Sequence, residues 1–333
     1  MAKSLQFFPE RPVKRGRFVF MIVSSKVTAV FHKKSLLDYL AGRFTYQTRD
    51  VWQTRIEAGD VTCNGRSTTP NQIVRQGDVV ACDLPDPPMP DANLNYEIVH
   101  EDAWLLAVNK PGNLKVHGHG RFIQANLIYQ LRHAHMPPYP DATLINRLDR
   151  DTSGIVLLAR DTDTLRTVQA QFAARTVEKT YLAVVHGIPT WQNHEVDLPI
   201  GRLPSAEGVY RYGLKEAGKS AQTRMALVRP FSPNHSLIRL TPKTGRTHQL
   251  RVHLAALGHP IVGDRLYTMN DADYLAWCED KVSDETPLPR HALHCAATTI
   301  WHPHLERPFT AAAPLAPDIL AFLQTLDPSF AIN

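Results

Sequence analysis

The sequence predicts an α+β fold with a separate small domain at its N-terminus. Three observations support this prediction. The 333 residues, 43% of them apolar, are enough for about two domains with substantial cores. Many short apolar runs of strand length alternate with few helical patterns, which favours α+β over a doubly wound α/β sheet. Four prolines between residues 85 and 90 separate the two regions.

This proline cluster indicates a stiff linker. Proline interrupts helices and cannot donate a backbone hydrogen bond to a sheet. The sequence therefore predicts four segments along the chain. They are an N-terminal extension (1–28), a small domain (29–84), a Pro-rich linker (85–94) and a larger C-terminal domain (95–325).

The small domain combines two helical patterns with strand-like segments. Leucines at helical spacing predict a helix over 34–40 that stops at Gly42, and a second helix is predicted over 49–58, before Gly59. The segments 61–66 and 73–82 each indicate a strand with a turn. We therefore expect a small α/β domain.

The C-terminal domain shows mostly strand patterns. Strands are predicted over 104–110, 154–159, 181–185, 221–228 and 236–240. Thr162 or Asp163 is a suitable N-cap for a helix that runs to about residue 175. Thr247 is a suitable N-cap for a helix that reaches Leu257 and ends at Gly258.

The positive charge lies mainly near the N-terminus. Residues 1–80 hold 13 Lys and Arg against 6 Asp and Glu, whereas residues 81–333 hold 24 against 26. Such a basic segment favours a polyanion such as nucleic acid, because Lys and Arg neutralise phosphates. A solvated basic surface without a ligand explains the charge equally well.

The cysteines and the first apolar run indicate a cytoplasmic protein. The four cysteines form no CxxC pair, so we expect reduced thiols in the core rather than disulfides. The apolar run 18–23 is far shorter than the ~20 residues of a membrane span. Basic residues precede it as in a signal peptide, but it is too short for the apolar region of one and no small-residue cleavage pattern follows. We expect no membrane association.

The first candidate site is the polar turn 146–154, with the sequence NRLDRDTSG. Two acids and two arginines stand here directly before a predicted buried strand. A loop held by a rigid strand is a common place for catalytic residues, and Thr-Ser-Gly can fix a neighbouring carboxylate through hydrogen bonds. A surface turn rich in ion pairs is the alternative.

The second candidate site is the segment 243–253, with the sequence KTGRTHQLRVH. A glycine turn leads into a predicted helix, whose free N–H groups and nearby cations favour an anion. Arg251 lies four residues beyond Thr247 and shares its helical face, whereas His248 does not. An ordinary capped helix with solvated ends is the alternative.

Five segments in order resemble the RluA-type pseudouridine synthases. NRLDRDTSG is similar to their HRLDxxTSG signature, and GRTHQLRVHLAALGHPIVGDRLY is similar to their third conserved block. LLAVNKPGNLKVH, VEKTYLAVVHG and ALHCAATTIWHP resemble three further blocks. The similarity covers about residues 95–310. It implies a catalytic domain with a mixed, mainly antiparallel sheet and flanking helices.

The resemblance implies roles for individual residues. Asp149 corresponds to the catalytic nucleophile, Tyr181 to the tyrosine that stacks on the flipped uracil, and Arg251 to the basic partner of Asp149. Arg147 corresponds to the arginine that fills the space left by the extruded base. Further contacts to substrate or RNA are expected from the basic and polar residues of these segments, namely Lys110, Arg246, Thr247 and His248.

The small domain resembles the S4 RNA-binding module over residues 29–82. The similarity rests on two helices followed by GDVTCNGR and VRQGDVV. The module's usual Arg beside Leu-Asp is absent, since the sequence here reads Leu36-Leu37-Asp38. We expect this domain to add affinity for RNA.

The resemblance implies an isomerase that acts on ribosomal or transfer RNA as a monomer. It needs no cofactor, and the sequence shows no P-loop, no GxGxxG and no metal-ligand spacing. One departure is Asn146, where the family usually has His. The competing hypotheses are a non-catalytic RNA-binding or assembly protein and a carboxylate glycosidase or metal-dependent nuclease. The acidic segment 268–289 yields no functional prediction.

Overall fold

The computed structural model describes residues 13–15, 18–44, 47–85, 90–118, 122–282 and 286–331. Contacts within the chain divide it into an N-terminal unit, Met1–Pro90, and a C-terminal unit, Asp91–Asn333. Residues 86–89 of the predicted linker and residues 1–12 and 16–17 of the predicted extension lie outside the described residues.

The N-terminal unit packs two short helices with an antiparallel sheet. Its elements are β1 (Val13–Arg15), β2 (Phe18–Lys26), α1 (Leu36–Arg43), α2 (Arg49–Glu57), β3 (Val61–Cys63), β4 (Arg66–Ser67) and β5 (Val79–Pro85), with a 3₁₀ turn at Ala29–Phe31. The strands have the order β1-β2-β5-β3-β4 in the sheet. The small α/β architecture was expected, while its kinship with the S4 module stays a prediction.

Two local features of this unit differ from the sequence analysis. Residues 18–26 were predicted to lie in the N-terminal extension, but they form β2, which pairs with β5 from Phe20 to Lys26. Helix α1 continues past Gly42 to Arg43. A Cβ at position 42 would lie 3.1 Å from the Phe31 ring, so this glycine permits close packing instead of ending the helix.

A mixed, mainly antiparallel sheet forms the C-terminal unit, as predicted. Ten strands of the described residues belong to it, in the order β11-β14-β15-β10-β16-β9-β7-β6, with β17 beside β16 and β8 beside β9. Among these strands, β9 and β16 form a parallel pair and the other pairs are antiparallel. The strands are β6 (Glu97–Glu101), β7 (Leu105–Lys110), β8 (Thr143–Leu144), β9 (Ser153–Ala159), β10 (Glu178–His186), β11 (Asn193–Asp197), β14 (Gln222–Phe231), β15 (His235–Pro242), β16 (Leu293–His302) and β17 (Arg307–Ala312).

Helices and a small hairpin complete this unit. The hairpin pairs β12 (Ile200–Arg202) with β13 (Tyr212–Leu214). The helices are α3 (Leu127–Tyr129), which runs into a π-helical turn at Gln130–Ala134, α4 (Thr162–Ala174), α5 (Gln249–Ala256), α6 (Arg265–Thr268), α7 (Asp271–Cys278) and α8 (Pro317–Leu326). Helices α4 and α5 were predicted from the sequence, whereas the other helices and the hairpin of this unit were not.

The sheet carries two apolar clusters that meet at one strand. One cluster includes β7, β9 and α4, and the other includes β10, β15, α5 and α8. Tyr181 on β10 packs against both. Burial of these apolar side chains is the main favourable contribution to folding. The meeting point of the clusters therefore offers a rigid base for a site.

The edges of this unit extend beyond the predicted boundaries. Ala92 and Leu94, placed in the linker by the sequence analysis, pack on the first cluster. Phe330, beyond the predicted end at 325, is buried and its ring centroid lies 5.2 Å from that of Phe231.

No helix of the described residues is long and apolar enough to cross a membrane.

Two further expectations were wrong. Helix α4 is capped by Asp161, whose carboxylate accepts hydrogen bonds from the backbone N and Oγ1 of Thr164, and not by Thr162 or Asp163. Cys278 is exposed, whereas Cys63, Cys82 and Cys295 are buried as expected. All four thiols are free.

Candidate active site

Asp149 lies in the turn between β8 and β9, and its side chain is about 30% exposed. Several long-range hydrogen bonds hold the turn. Leu114 N donates to Arg150 O at 3.1 Å, and Asn146 Oδ1 accepts from Leu157 N at 2.7 Å. Asn146 therefore connects the start of the turn to β9, although the family usually has His at this position.

Gly154 explains why the signature ends in glycine. Its φ is +107°, and a Cβ at this position would lie 2.1 Å from the carbonyl oxygen of Cys295. The turn meets the parallel strand β16 at this point, where Cys295 is the partner of Gly154. Only glycine fits such a close approach with this backbone conformation.

A buried arginine from a distant part of the chain supports the same turn. Arg290 donates to Asp151 O at 2.8 Å and to Ser153 Oγ at 3.2 Å. The same guanidinium binds both carboxylate oxygens of Asp318 in α8, at 2.7 Å each. Helix α8 is therefore connected to the turn that holds Asp149 through a bidentate ion pair.

Arg251, on α5, joins two carboxylates. Its Nη1 donates to Asp149 Oδ2 at 3.3 Å, while Nε and Nη2 bind the two oxygens of Asp264 at 2.7 and 2.8 Å. Arg251 and Asp264 are both buried. Burial works to lower the pKa of Arg251, but Asp264 and Asp149 outweigh it and raise that pKa. A permanent positive charge therefore faces Asp149.

His248 also faces Asp149, which the sequence analysis did not expect. Its Nε2 lies 3.8 Å from Asp149 Oδ2, and its Nδ1 shares a hydrogen bond of 2.9 Å with Tyr267 Oη. Burial and the nearby Arg251 lower the pKa of His248 to about 4. The imidazole is therefore neutral at neutral pH.

The N-terminus of α5 differs from the prediction. The helix begins at Gln249, its N-cap is His248 with φ +56°, and Thr247 is exposed at the cleft. Buried Gln249 orders the turn, because its Oε1 accepts from Thr244 Oγ1 and Arg246 N at 2.7 and 3.1 Å. The left-handed backbone at residue 248 turns the His248 ring toward Asp149. Helical spacing, which assumes a helical backbone at this residue, therefore predicted the wrong direction for the His248 side chain.

Tyr181 lies on β10, directly beside Cys295 of β16. Burial, the Cys295 thiol and Asp149 raise the pKa of Tyr181 well above its ordinary value, so the phenol remains neutral. Tyr181 and Asp149 line one cleft of about 200 Å³, together with Leu148, Pro242, Leu250 and Leu293. This volume is below the usual range for drug-sized ligands, which favours a single small ring.

Of the other residues that were predicted to contact RNA, some line the cleft and one does not. Arg147 is exposed and lines the cleft, and Arg246 lines it while its Nε donates to Ser220 O at 3.0 Å. Lys110 was expected to contact RNA, but it is fully buried. Its Nζ donates to Pro111 O and Arg150 O at 2.7 and 3.0 Å, so it supports the turn that holds Asp149.

Burial also sets the charge of this lysine. It lowers the pKa of Lys110 to about 7, with Arg290 acting in the same direction.

Across the parts of the chain that the structure describes, no group of three or more His, Cys, Asp or Glu residues is arranged to hold a metal ion.

The buried histidines predict a loss of stability in mild acid. Burial lowers the pKa of His248 and of His294 to about 4, against 6.5 for a free side chain. Between these values the unfolded chain binds more protons, so the free energy of unfolding falls as the pH falls from 6.5 to about 4. The expected loss is on the order of 3 kcal/mol per ring. We expect His294→Gln to reduce the drop in melting temperature over this interval.

The matched control for this experiment is His133→Gln, at an exposed position. This variant should show the same drop in melting temperature as the wild type. An undiminished drop in the His294→Gln variant would contradict the prediction.

Comparison with known proteins gives consistent matches. Residues 104–256 match the family model described as RNA pseudouridylate synthase. The ribosomal large subunit pseudouridine synthase C of Haemophilus influenzae is 33% identical over 304 residues, which is 87% of this chain and 90% of the relative. The protein of the same name from Vibrio vulnificus is 34% identical, over 84% of this chain and 90% of its own length.

A solved structure is also similar to this chain. Human RNA pseudouridylate synthase domain containing 1 has a TM-score of 0.56 and 27% identity, over 72% of this chain and 89% of that one. Together with the fold and the cleft, the matches define the class, an isomerase that acts on RNA. The chain belongs to the RNA pseudouridylate synthase family, which confirms the resemblance to the RluA-type enzymes.

Proposed function

We propose that this enzyme converts specific uridines of ribosomal or transfer RNA to pseudouridine, with Asp149 as the nucleophile. The observation that carries the proposal is the position of Asp149, whose carboxylate meets Arg251 at 3.3 Å in a cleft that also holds Tyr181. The two bacterial relatives are named as ribosomal large subunit pseudouridine synthases, which favours ribosomal RNA as the substrate.

The reaction rearranges one nucleoside without oxidation or reduction. The bond between C1′ and N1 breaks, a bond between C1′ and C5 forms, C5 loses a proton and N1 gains one. Asp149 attacks either the sugar C1′ or C6 of the uracil, and a carboxylate suits both routes. Such chemistry requires no redox cofactor.

The surrounding residues have complementary roles in this proposal. Arg251 donates a charge-assisted hydrogen bond to Asp149 and orients its carboxylate. Tyr181 presents a neutral ring that stacks on the uracil. The base must leave its stack to reach this cleft, and exposed Arg147 fills the space that it vacates. Arg246, Thr247 and His248, also at the cleft, contact the bound nucleotide.

Pseudouridine mapping of total RNA tests the proposal and finds the substrate. Cells without the gene should lack one or a few pseudouridines that cells with it contain. The wild-type gene should restore them and Asp149→Ala should not. If no site is lost, and purified protein also fails on transcribed RNA, the chain is instead a non-catalytic RNA-binding protein.

We further propose that the N-terminal unit binds RNA as an S4-like module in a cytoplasmic, monomeric enzyme. Its support is the excess of Lys and Arg over residues 1–80. Deleting residues 1–90 should weaken RNA binding and make it less sensitive to salt. The slope of the logarithm of the binding constant against the logarithm of the salt concentration should become shallower by about 0.7–0.9 for each phosphate that the unit neutralises.

Filter binding at several salt concentrations measures this slope for the full chain and the deletion variant. Pseudouridine formation at low salt is the control, because the cleft belongs to the C-terminal unit. An unchanged slope would show that the N-terminal unit does not touch RNA.

A further inference from the structure

A second cavity adjoins the cleft and has no role in the mechanism above. Its volume is about 460 Å³, and it shares Arg147, Leu148, Asp149, His248 and Arg251 with the cleft. Since the smaller cleft suits one ring, an RNA strand that places its uridine there has neighbouring nucleotides close to this second space. The second cavity is therefore next to the reacting nucleoside.

The charge around this cavity favours a phosphate backbone. Four cationic side chains line it, namely Lys115, Arg147, Arg150 and Arg251, against the two carboxylates of Asp149 and Asp151. Arg150 pairs with Asp151 at 3.0 Å and Arg251 binds Asp264, while Arg147 is exposed. A net positive lining attracts a polyanion.

Tyr210 gives the cavity an exposed aromatic wall. The residue is 54% exposed, yet several contacts hold its ring. The guanidinium carbon of Arg202 lies 4.5 Å from the ring centroid, and the Tyr210 hydroxyl shares a hydrogen bond of 2.9 Å with the Tyr212 hydroxyl. A fixed ring with this much exposed surface is well suited to stack on a flat partner.

The hairpin that carries Tyr210 is anchored near Asp149. Val209 is buried, and Arg211 donates to Met269 O at 3.0 Å and forms an ion pair with Asp271 at 2.8 Å. The Tyr212 ring lies 5.9 Å from that of His248, which faces Asp149. These contacts fix the position of Tyr210 relative to the proposed nucleophile.

The geometry points to a base-stacking subsite, in which Tyr210, backed by Arg202, binds the base of the nucleotide next to the target uridine. This inference rests on the proposed function and adds a specificity element to it. Aromatic and guanidinium planes both stack on nucleobases without requiring a particular base. The phosphate beside that base lies near Arg147 and Lys115 on the same cavity wall.

Binding of single-stranded RNA by the full chain tests the subsite. The probes are a fluorescein-labelled oligouridylate of about 12 nucleotides and an abasic ribose-phosphate strand of the same length. Fluorescence anisotropy should show that Tyr210→Ala weakens oligouridylate binding about tenfold, with a range of about 5- to 150-fold. Tyr210→Phe, which keeps the ring, should bind nearly as well as the wild type, and the abasic strand should not distinguish the variants.

The matched control is Trp301→Ala, which removes a ring of similar exposure (52%) outside both cavities. Equal oligouridylate affinity of Tyr210→Ala and wild type would overturn the inference. So would an equal loss on the abasic strand, or no measurable binding of oligouridylate by the wild type. A protein that shows the stacking effect but forms no pseudouridine would instead refute the proposed function.

Discussion

Replacing Asp149 with asparagine is expected to abolish pseudouridine formation, lowering the rate by about 10⁴-fold or more. Asparagine preserves the shape of the side chain and its hydrogen bond from Arg251, but it lacks the negative charge that makes a carboxylate nucleophilic. Tritium release from RNA that contains 5-tritiated uridine measures the loss. A variant that releases tritium at the wild-type rate would exclude Asp149 as the nucleophile.

RNA binding provides the control for this experiment. The Asp149→Asn variant should bind RNA as tightly as the wild type or more tightly, because one negative charge near the phosphates is removed. Asp151→Asn is the matched variant, since Asp151 lies in the same turn and pairs with Arg150. It should retain most of the activity, as Asp151 occupies a variable position of the signature.

Replacing Asp264 with asparagine is expected to lower the rate about 100-fold. Asp264 does not touch Asp149 but binds Arg251 through both carboxylate oxygens and thereby orients its Nη1 toward Asp149. A neutral amide accepts only one of these hydrogen bonds and leaves Arg251 less firmly oriented. Displacement of a reacting group by about 1 Å can account for an effect of this size.

Stability measurements complement these kinetics. Removing one partner of a buried ion pair costs about 3–5 kcal/mol of unfolding free energy, so the melting temperature of the Asp264→Asn variant should also fall. The matched control is Glu195→Gln, which breaks the exposed pair with Arg224 and should cost about 1 kcal/mol or less. A variant that melts lower but keeps the full rate would show that Asp264 only stabilises the fold.

The lysine variant of Arg251 separates charge from geometry at this site. Lysine carries the same charge, but it cannot bind Asp264 with two parallel hydrogen bonds and still reach Asp149. We therefore expect Arg251→Lys to lose about as much activity as Asp264→Asn, measured in the same tritium-release experiment. Full activity of this variant would show that a positive charge alone is sufficient beside Asp149.

The sequence predicted the parts of the site that depend on local patterns. The turn before β9 was recognised from its run of polar residues, and the structure shows why Thr-Ser-Gly ends it, since only Gly154 fits against Cys295. The mainly antiparallel sheet followed from the family motifs. Asp149, Tyr181 and Arg251 were selected by resemblance, and the structure brings all three to one cleft.

The errors arose where a local pattern was used to place a side chain in space. Lys110 was predicted to contact RNA but is buried, and its Nζ donates to Arg150 O in the turn before β9. Thr247 looked like an N-cap, yet the left-handed backbone of His248 begins the helix one residue later. Both outcomes depend on packing against segments that are distant in sequence.

The sequence by itself indicated the class of enzyme, the positions of several main strands along the chain and the identity of the proposed nucleophile. Tertiary structure alone revealed what holds that nucleophile in place, namely Asp264 behind Arg251 and the pairing of Arg290 with Asp318. It also placed Tyr210 on the wall of the second cavity. These contacts join residues from separate elements, and only the packing of the whole chain decides which charged groups are buried together.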